Sequence, residues 1–252
     1  MSLALIPLTV YGILREPLTL LKFTKLALKG FNLNKDSFYN NYKGGKNEIL
    51  FYVGLHNDEH IYFLSNLAGS DGKLVVFTST KKSYDQLNNL KNILGLKNIE
   101  TVPITFSIES NEMIFAAQPA IKEIINSATL IDSKQRKSYK KIEISYNETL
   151  DNYCLSYNIR PQLLEIKLPW HELAVLKGAK KILKKYKPRI VIECDVRFSS
   201  RPKILEIFEF LTNIEYRGYF ILDNVQIPVN NFDFDTYQNP KSDFYCKEFI
   251  FE

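Results

Sequence analysis

Residues 161–196, PQLLEIKLPWHELAVLKGAKKILKKYKPRIVIECDV, constrain the fold more than any other stretch. They read as strand, turn, helix, turn, strand. Leu163, Leu164, Ile166 and Leu168 make a short apolar run that Pro169 ends, as a buried strand does. A helix over residues 171–186 follows. Leu173, Val175, Leu176, Ala179, Ile182 and Leu183 form its apolar stripe, while Lys177, Lys180, Lys181, Lys184 and Lys185 cover its outer face and load its last turns with cations. Pro188 stops it, and residues 190–192 begin the next buried strand. Two strands apolar on both faces, joined by one helix, require a parallel sheet with helices packed on it.

The same alternation runs through most of the chain. Residues 49–53 (ILFYV) read as a central strand, followed by Gly54 and a polar turn, then by a helix through Ile61, Phe63, Leu64 and Leu67. Residues 74–77 are the next strand; Ser83 caps a helix over 84–94 that Gly95 closes, and a strand over 99–104 follows. The alternation then lapses. Residues 113–117 and 142–146 read as shorter, more exposed strands around a polar surface loop at 132–141. A short helix at 149–157, the organising unit, a helix at 202–212, a strand at 219–222, a turn at Asp223 and Asn224 and a last strand at 248–251 complete the order. This is the pattern of an open, doubly wound sheet. Ligands of such sheets sit outside the carboxyl ends of the strands, here the rim at 54–58, 78–80 and 169–172.

Residues 1–47 read as a helical extension and linker, and 48–252 as the domain. The apolar start is broken at Pro7 and ended by Arg15 and Glu16, short of the ~20 residues that span a bilayer. Residues 1–31 are expected to pack on the domain as two short helices, or else to touch a membrane surface. Cys154, Cys194 and Cys246 are far apart, with neither disulfide nor metal-ligand spacing, which points to a reducing, cytoplasmic setting and to no metal. His56 and His60 lie four apart, but one loop residue and one helix-start residue is the plainer reading. A net charge of +5, concentrated on a helix with a full apolar stripe, implies a solvated face and no nucleic-acid partner.

LLEIKLPWHELAVLKGAKKILKKYKPRIVIE resembles the unit IKIDVEGxExxVLKGAxxxLxxxKPxIxIE of FkbM-type methyltransferases, which use S-adenosylmethionine to methylate hydroxyl groups, often on sugars. The similarity extends over residues 48–252. ETLDNYC resembles the family's T-L-D-D motif, and Gln238 and the closing strand resemble its C-terminal tail. The resemblance implies an α/β fold: a doubly wound, mostly parallel seven-stranded Rossmann-like sheet with helices on both faces and an antiparallel C-terminal strand. It implies S-adenosylmethionine as cofactor and a hydroxyl-bearing small molecule or glycan as partner. It carries the cofactor-binding positions onto Tyr52, Gly54, His56, Thr78 and Lys167, and the catalytic positions onto His171 and Glu172.

Most of those positions are substituted. In the family's DVGANxG loop the Asp falls on Tyr52, the Asn on His56 and the second Gly on Asp58; only Gly54 survives. The ribose-binding acid falls on Thr78, and D-V-E-G becomes Lys167, Leu168, Pro169 and Trp170. A carboxylate on ribose hydroxyls is worth about 1.5–3 kcal/mol, which a Thr hydroxyl does not supply. Lys167 reverses a charge beside a cationic sulfonium. Trp170 puts bulk where the family has no side chain. The chain therefore reads as a methyltransferase-family protein of weak or lost activity or, alternatively, a non-catalytic binding or scaffold protein. His171 suits a proton acceptor, while Glu172 also suits simple pairing with a helix dipole.

Overall fold

In the computed structural model, residues 38–40, 42, 44, 47–54, 57–108, 112–117, 129–130, 141–241 and 244–252 are described. The expected N-terminal helices, their membrane contact, His56 and the loop at 132–140 lie outside them. Among the described residues, no helix is long and apolar enough to cross a membrane.

β1 (Ile49–Gly54) is buried along its middle, as its unbroken apolar run requires. Asn57 caps α1 (Asp58–Ala68), its side chain accepting from His60 N, and Asp58 and Glu59 in the first turn complement the helix dipole. β2 (Lys73–Phe77) leads to α2 (Lys81–Leu94). The cap of α2 is Thr80 rather than Ser83: Thr80 has the extended backbone of a cap, and its hydroxyl accepts from Ser83 N at 3.1 Å. Gly95 closes the helix at φ 66°.

After β3 (Ile99–Val102), the region where the alternation lapsed forms its own sheet from β4 (Thr105–Phe106), β5 (Glu112–Ala117), β6 (Thr129–Leu130) and β7 (Lys141–Glu148), in the order β4-β7-β5-β6. α3 (Leu150–Tyr157), capped by Thr149, returns the chain to β8 (Leu163–Lys167). The expected single helix is two, α4 (Glu172–Gly178) and α5 (Lys180–Tyr186), parted at Ala179. Tertiary contacts explain the break. Asp151 on α3 accepts from Lys181 N at 2.9 Å and Ile182 N at 2.8 Å, capping α5 from outside. Gly178 lets α4 lie against the Ser107 carbonyl, which a Cβ there would meet at 2.1 Å. Then come β9 (Arg189–Glu193), α6 (Arg201–Asn213), β10 (Gly218–Leu222), β11 (Val225–Pro228), α7 (Phe234–Tyr237) and β12 (Glu248–Phe251).

The main sheet has eight strands in the order β11-β10-β12-β9-β8-β1-β2-β3. β3, β2, β1, β8 and β9 are parallel, and β12 inserts antiparallel between β9 and β10. The eighth strand, beyond the seven expected, is β11. It makes a hairpin on β10 through Asp223 and Asn224, both at positive φ. β11 is largely exposed, so it carried no apolar signal.

Side chains alternate across the sheet. Phe51, Val53, Leu164, Ile166, Ile190 and Ile192 face α3, α4, α5 and α6. Leu50, Tyr52, Leu74, Val76, Leu163 and Val191 lie on the opposite face, which α1 and α2 cover. Burying one such Leu or Ile contributes about 1.5–3 kcal/mol, so the paired faces fix the register.

Candidate cofactor cleft and acceptor rim

The carboxyl ends of β1 and β8 abut. Gly54 stands opposite Lys167, and a Cβ on Gly54 would lie 2.5 Å from the Lys167 carbonyl oxygen. Gly54 thus serves strand packing. Tyr52 is 1% exposed and stands opposite Glu165, which is fully buried.

Glu165 is the hub of an ionic cluster on this face. His60 Nε2 lies 2.6 Å and Lys167 Nζ 2.9 Å from its Oε1, and the Tyr39 hydroxyl donates to Oε2. Lys167 also pairs with Glu248 at 2.9 Å. Burial would raise the Glu165 carboxyl, but Lys167 and His60 outweigh it and hold the pKa at about 2. Burial would lower the Lys167 ammonium, but Glu165 and Glu248 outweigh that and raise it well above its usual value. Both groups are therefore charged at neutral pH. Burial, and then Glu165, push the Tyr39 hydroxyl upward, so it remains a donor.

Thr78 ends the neighbouring strand and is 3% exposed. Its N–H donates to the Val102 carbonyl at 2.9 Å, and its hydroxyl faces the same oxygen at 3.4 Å. Tyr52, Gly54, Thr78 and Lys167 thus lie toward the carboxyl ends of β1, β2 and β8. Each is occupied within the protein.

Beyond Lys167 the polypeptide turns at Pro169. Trp170 takes φ 70°, a conformation that a glycine adopts without strain. Its ring does not fill the cleft: it is 42% exposed and meets Phe198 edge-on, with centroids 5.6 Å apart. His171 begins α4 without a side-chain cap. Its Nε2 is buried with no partner among the described residues. Burial, helped by Lys203, lowers its pKa to about 4, so the ring is neutral at pH 7. Glu172 sits in the first turn of α4, but it is 4% exposed rather than solvated. Burial raises its carboxyl to about 7, partly opposed by a hydrogen bond from its own N–H. Glu172 is near the end of β9, within electrostatic reach of Glu193 and Cys194. There Asp195 accepts from Arg197 and from the Tyr245 hydroxyl, and Gln238 donates to the Cys194 and Cys246 carbonyls at 2.6 and 3.0 Å. Gln238 and Asp151 thus have structural roles in the motifs that contain them.

The sequence reading missed Glu165, His60, Tyr39 and Glu248. One signal was present: a lone Glu in LLEIK demands a partner, because a buried unpaired carboxylate is too costly to keep. Among the described residues, no group of three His, Cys, Asp or Glu side chains could hold a metal.

Among solved structures, a methyltransferase FkbM from Methylobacillus flagellatus superposes with a TM-score of 0.54 at 11% identity, over 86% of this chain and 47% of that one. The chain has the Rossmann-like methyltransferase fold. Two more distant matches, each with a TM-score of 0.39, are a SAM-dependent O-methyltransferase from Thermotoga maritima and an rRNA methylase from Streptococcus thermophilus. The first is 11% identical over 82% of this chain and 58% of that one; the second is 12% identical over 82% and 86%. The chain thus spans 47% and 58% of the length of the first two. No protein-family model and no curated protein matches the sequence.

The four described residues at the expected cofactor positions do not fit S-adenosylmethionine as the resemblance implies. Tyr52 is inside the sheet, Gly54 is closed by strand contact, Thr78 is tied to β3, and a cation stands where an acid would be.

Proposed function

We propose that this protein is a divergent FkbM-type methyltransferase relative that no longer uses S-adenosylmethionine and works as a cytoplasmic binding module. The carrying observation is the Lys167 ammonium held between Glu165 and Glu248 at the end of β8. With the ammonium held between them, neither carboxylate is left to accept ribose hydroxyls or to answer a sulfonium. The ligand of this reading is a hydroxyl-bearing small molecule or glycan at the rim. Trp170 and Phe198 support that choice, because an exposed aromatic wall offers a stacking surface to a sugar ring. Three buried cysteines outside any disulfide suit a reducing compartment.

Calorimetric titration with S-adenosylhomocysteine tests the reading. The expected result is no binding heat at millimolar ligand. A dissociation constant in the low micromolar range would overturn it. One observation favours a second reading, surviving methyl transfer to a hydroxyl: the buried Glu172 carboxyl, with its pKa near 7, suits a general base. Under that reading the titration succeeds and Glu172→Gln abolishes turnover.

A further inference from the structure

The other end of the sheet carries a cavity that neither reading uses. At the amino ends of β1, β8 and β9, a cleft of about 590 Å³ is lined by Tyr42, Glu48, Arg160, Tyr186, Lys187 and Arg189, among others. That volume falls within the range of small-molecule sites. Its charge is one-sided: Arg160, Lys187 and Arg189 face one carboxylate, Glu48. Glu48 is itself engaged, accepting from the Tyr42 hydroxyl at 2.5 Å.

The three cations are held differently. Arg189 lies over the Tyr42 ring at 5.5 Å and touches Glu252 only at 3.4 Å. Lys187 donates to the Ile214 carbonyl at 2.5 Å and stands 3.7 Å from Glu215, which is 91% exposed. Arg160 packs over the Tyr186 ring at 5.2 Å, and no carboxylate pairs with it among the described residues. Stacking on a ring fixes a guanidinium plane and leaves its N–H groups directed outward. Lys185, on the same ring, adds further positive field.

We infer that this cleft is a second ligand site, for a phosphorylated small molecule whose phosphate sits among Arg160, Lys187 and Arg189. Two guanidinium forks match phosphate oxygens bidentately, and a dianion offsets the two-charge excess of the lining. The concave shape favours a small molecule over nucleic acid, whose charges are strung along a convex surface. The site does not depend on whether the carboxyl-end cleft binds a nucleotide.

Titration with pyrophosphate and with ADP tests the inference, alongside Arg160→Ala, Arg189→Ala and Arg160→Lys. ADP is expected to bind below millimolar, each alanine variant to weaken it about tenfold or more, and Arg160→Lys to weaken it less. Arg160 is exposed and has no ion pair among the described residues, so its variants should keep the parent melting temperature. Absence of heat with both probes would overturn the inference. So would ADP affinity unchanged in both alanine variants, or a short single-stranded RNA that binds where ADP does not.

Discussion

The two halves of the carboxyl-end rim treat buried polar groups in opposite ways. In the cofactor half, Glu165 has three partners, Lys167 has two, and Thr78 is tied to the neighbouring strand. In the acceptor half, Glu172 is buried with its own backbone as donor, and His171 Nε2 is buried with none among the described residues. Polar groups satisfied inside a protein are architecture. Buried ones left unsatisfied cost stability and persist where something is to be bound or transferred. The difference teaches that one rim of a sheet can hold fully paired and unpaired buried polar groups side by side.

Breaking the cluster is the strongest test of the contrast. Glu165→Ala leaves Lys167 with Glu248 alone and takes the carboxylate from His60 and Tyr39, and should cost about 3–5 kcal/mol in urea unfolding. A cost below about 1 kcal/mol would remove the distinction between the halves. Glu165, held low, also contributes stability that is present above its unfolded pKa and lost as pH falls from about 4.5 through about 2.

The acceptor half predicts a compensation. Glu172 ionises near 7 when folded and near 4.5 when unfolded, so its contribution to stability falls as pH rises between those values. His171 protonates near 4 when folded and near 6.5 when unfolded, so its contribution rises with pH across that window. Each amounts to about 3 kcal/mol, and they nearly cancel in the native protein. Glu172→Gln should expose a stability that climbs from about pH 4 to about 6.5, and His171→Asn one that declines from about pH 4.5 to about 7. Parallel profiles in both variants would show that the two groups are not buried as described.

Trp170→Gly gives the smallest effect. It relieves a left-handed backbone worth about 1–2 kcal/mol and loses a ring contact worth about 0.5–1.5 kcal/mol, so net stability should change by under about 1 kcal/mol. Loss of glycan binding with unchanged stability would mark the ring as part of a binding surface. A large destabilisation would make it architectural and bring the two halves together.

Most of the parallel sheet was legible because a strand buried on both faces leaves an uninterrupted apolar run, and helices leave stripes between such runs. β11 was not, because an edge hairpin exposed to solvent needs no apolar residues. The break at Ala179 was not, because the Asp151 carboxylate that caps α5 comes from about thirty residues away. The Glu165 cluster was hidden for the same reason: its partners Tyr39 and His60 are 126 and 105 positions distant. Sequence periodicity reports the face a residue occupies. It does not report which distant group will meet it.

The tight approach of β1 to β8 carries a lesson for tracing ancestry. Where two backbones run so near that any substituent larger than hydrogen collides, glycine endures whether or not a nucleotide ever visits. Gly54 answers first to its neighbour strand, so its presence alone is masonry and says nothing of a nucleotide.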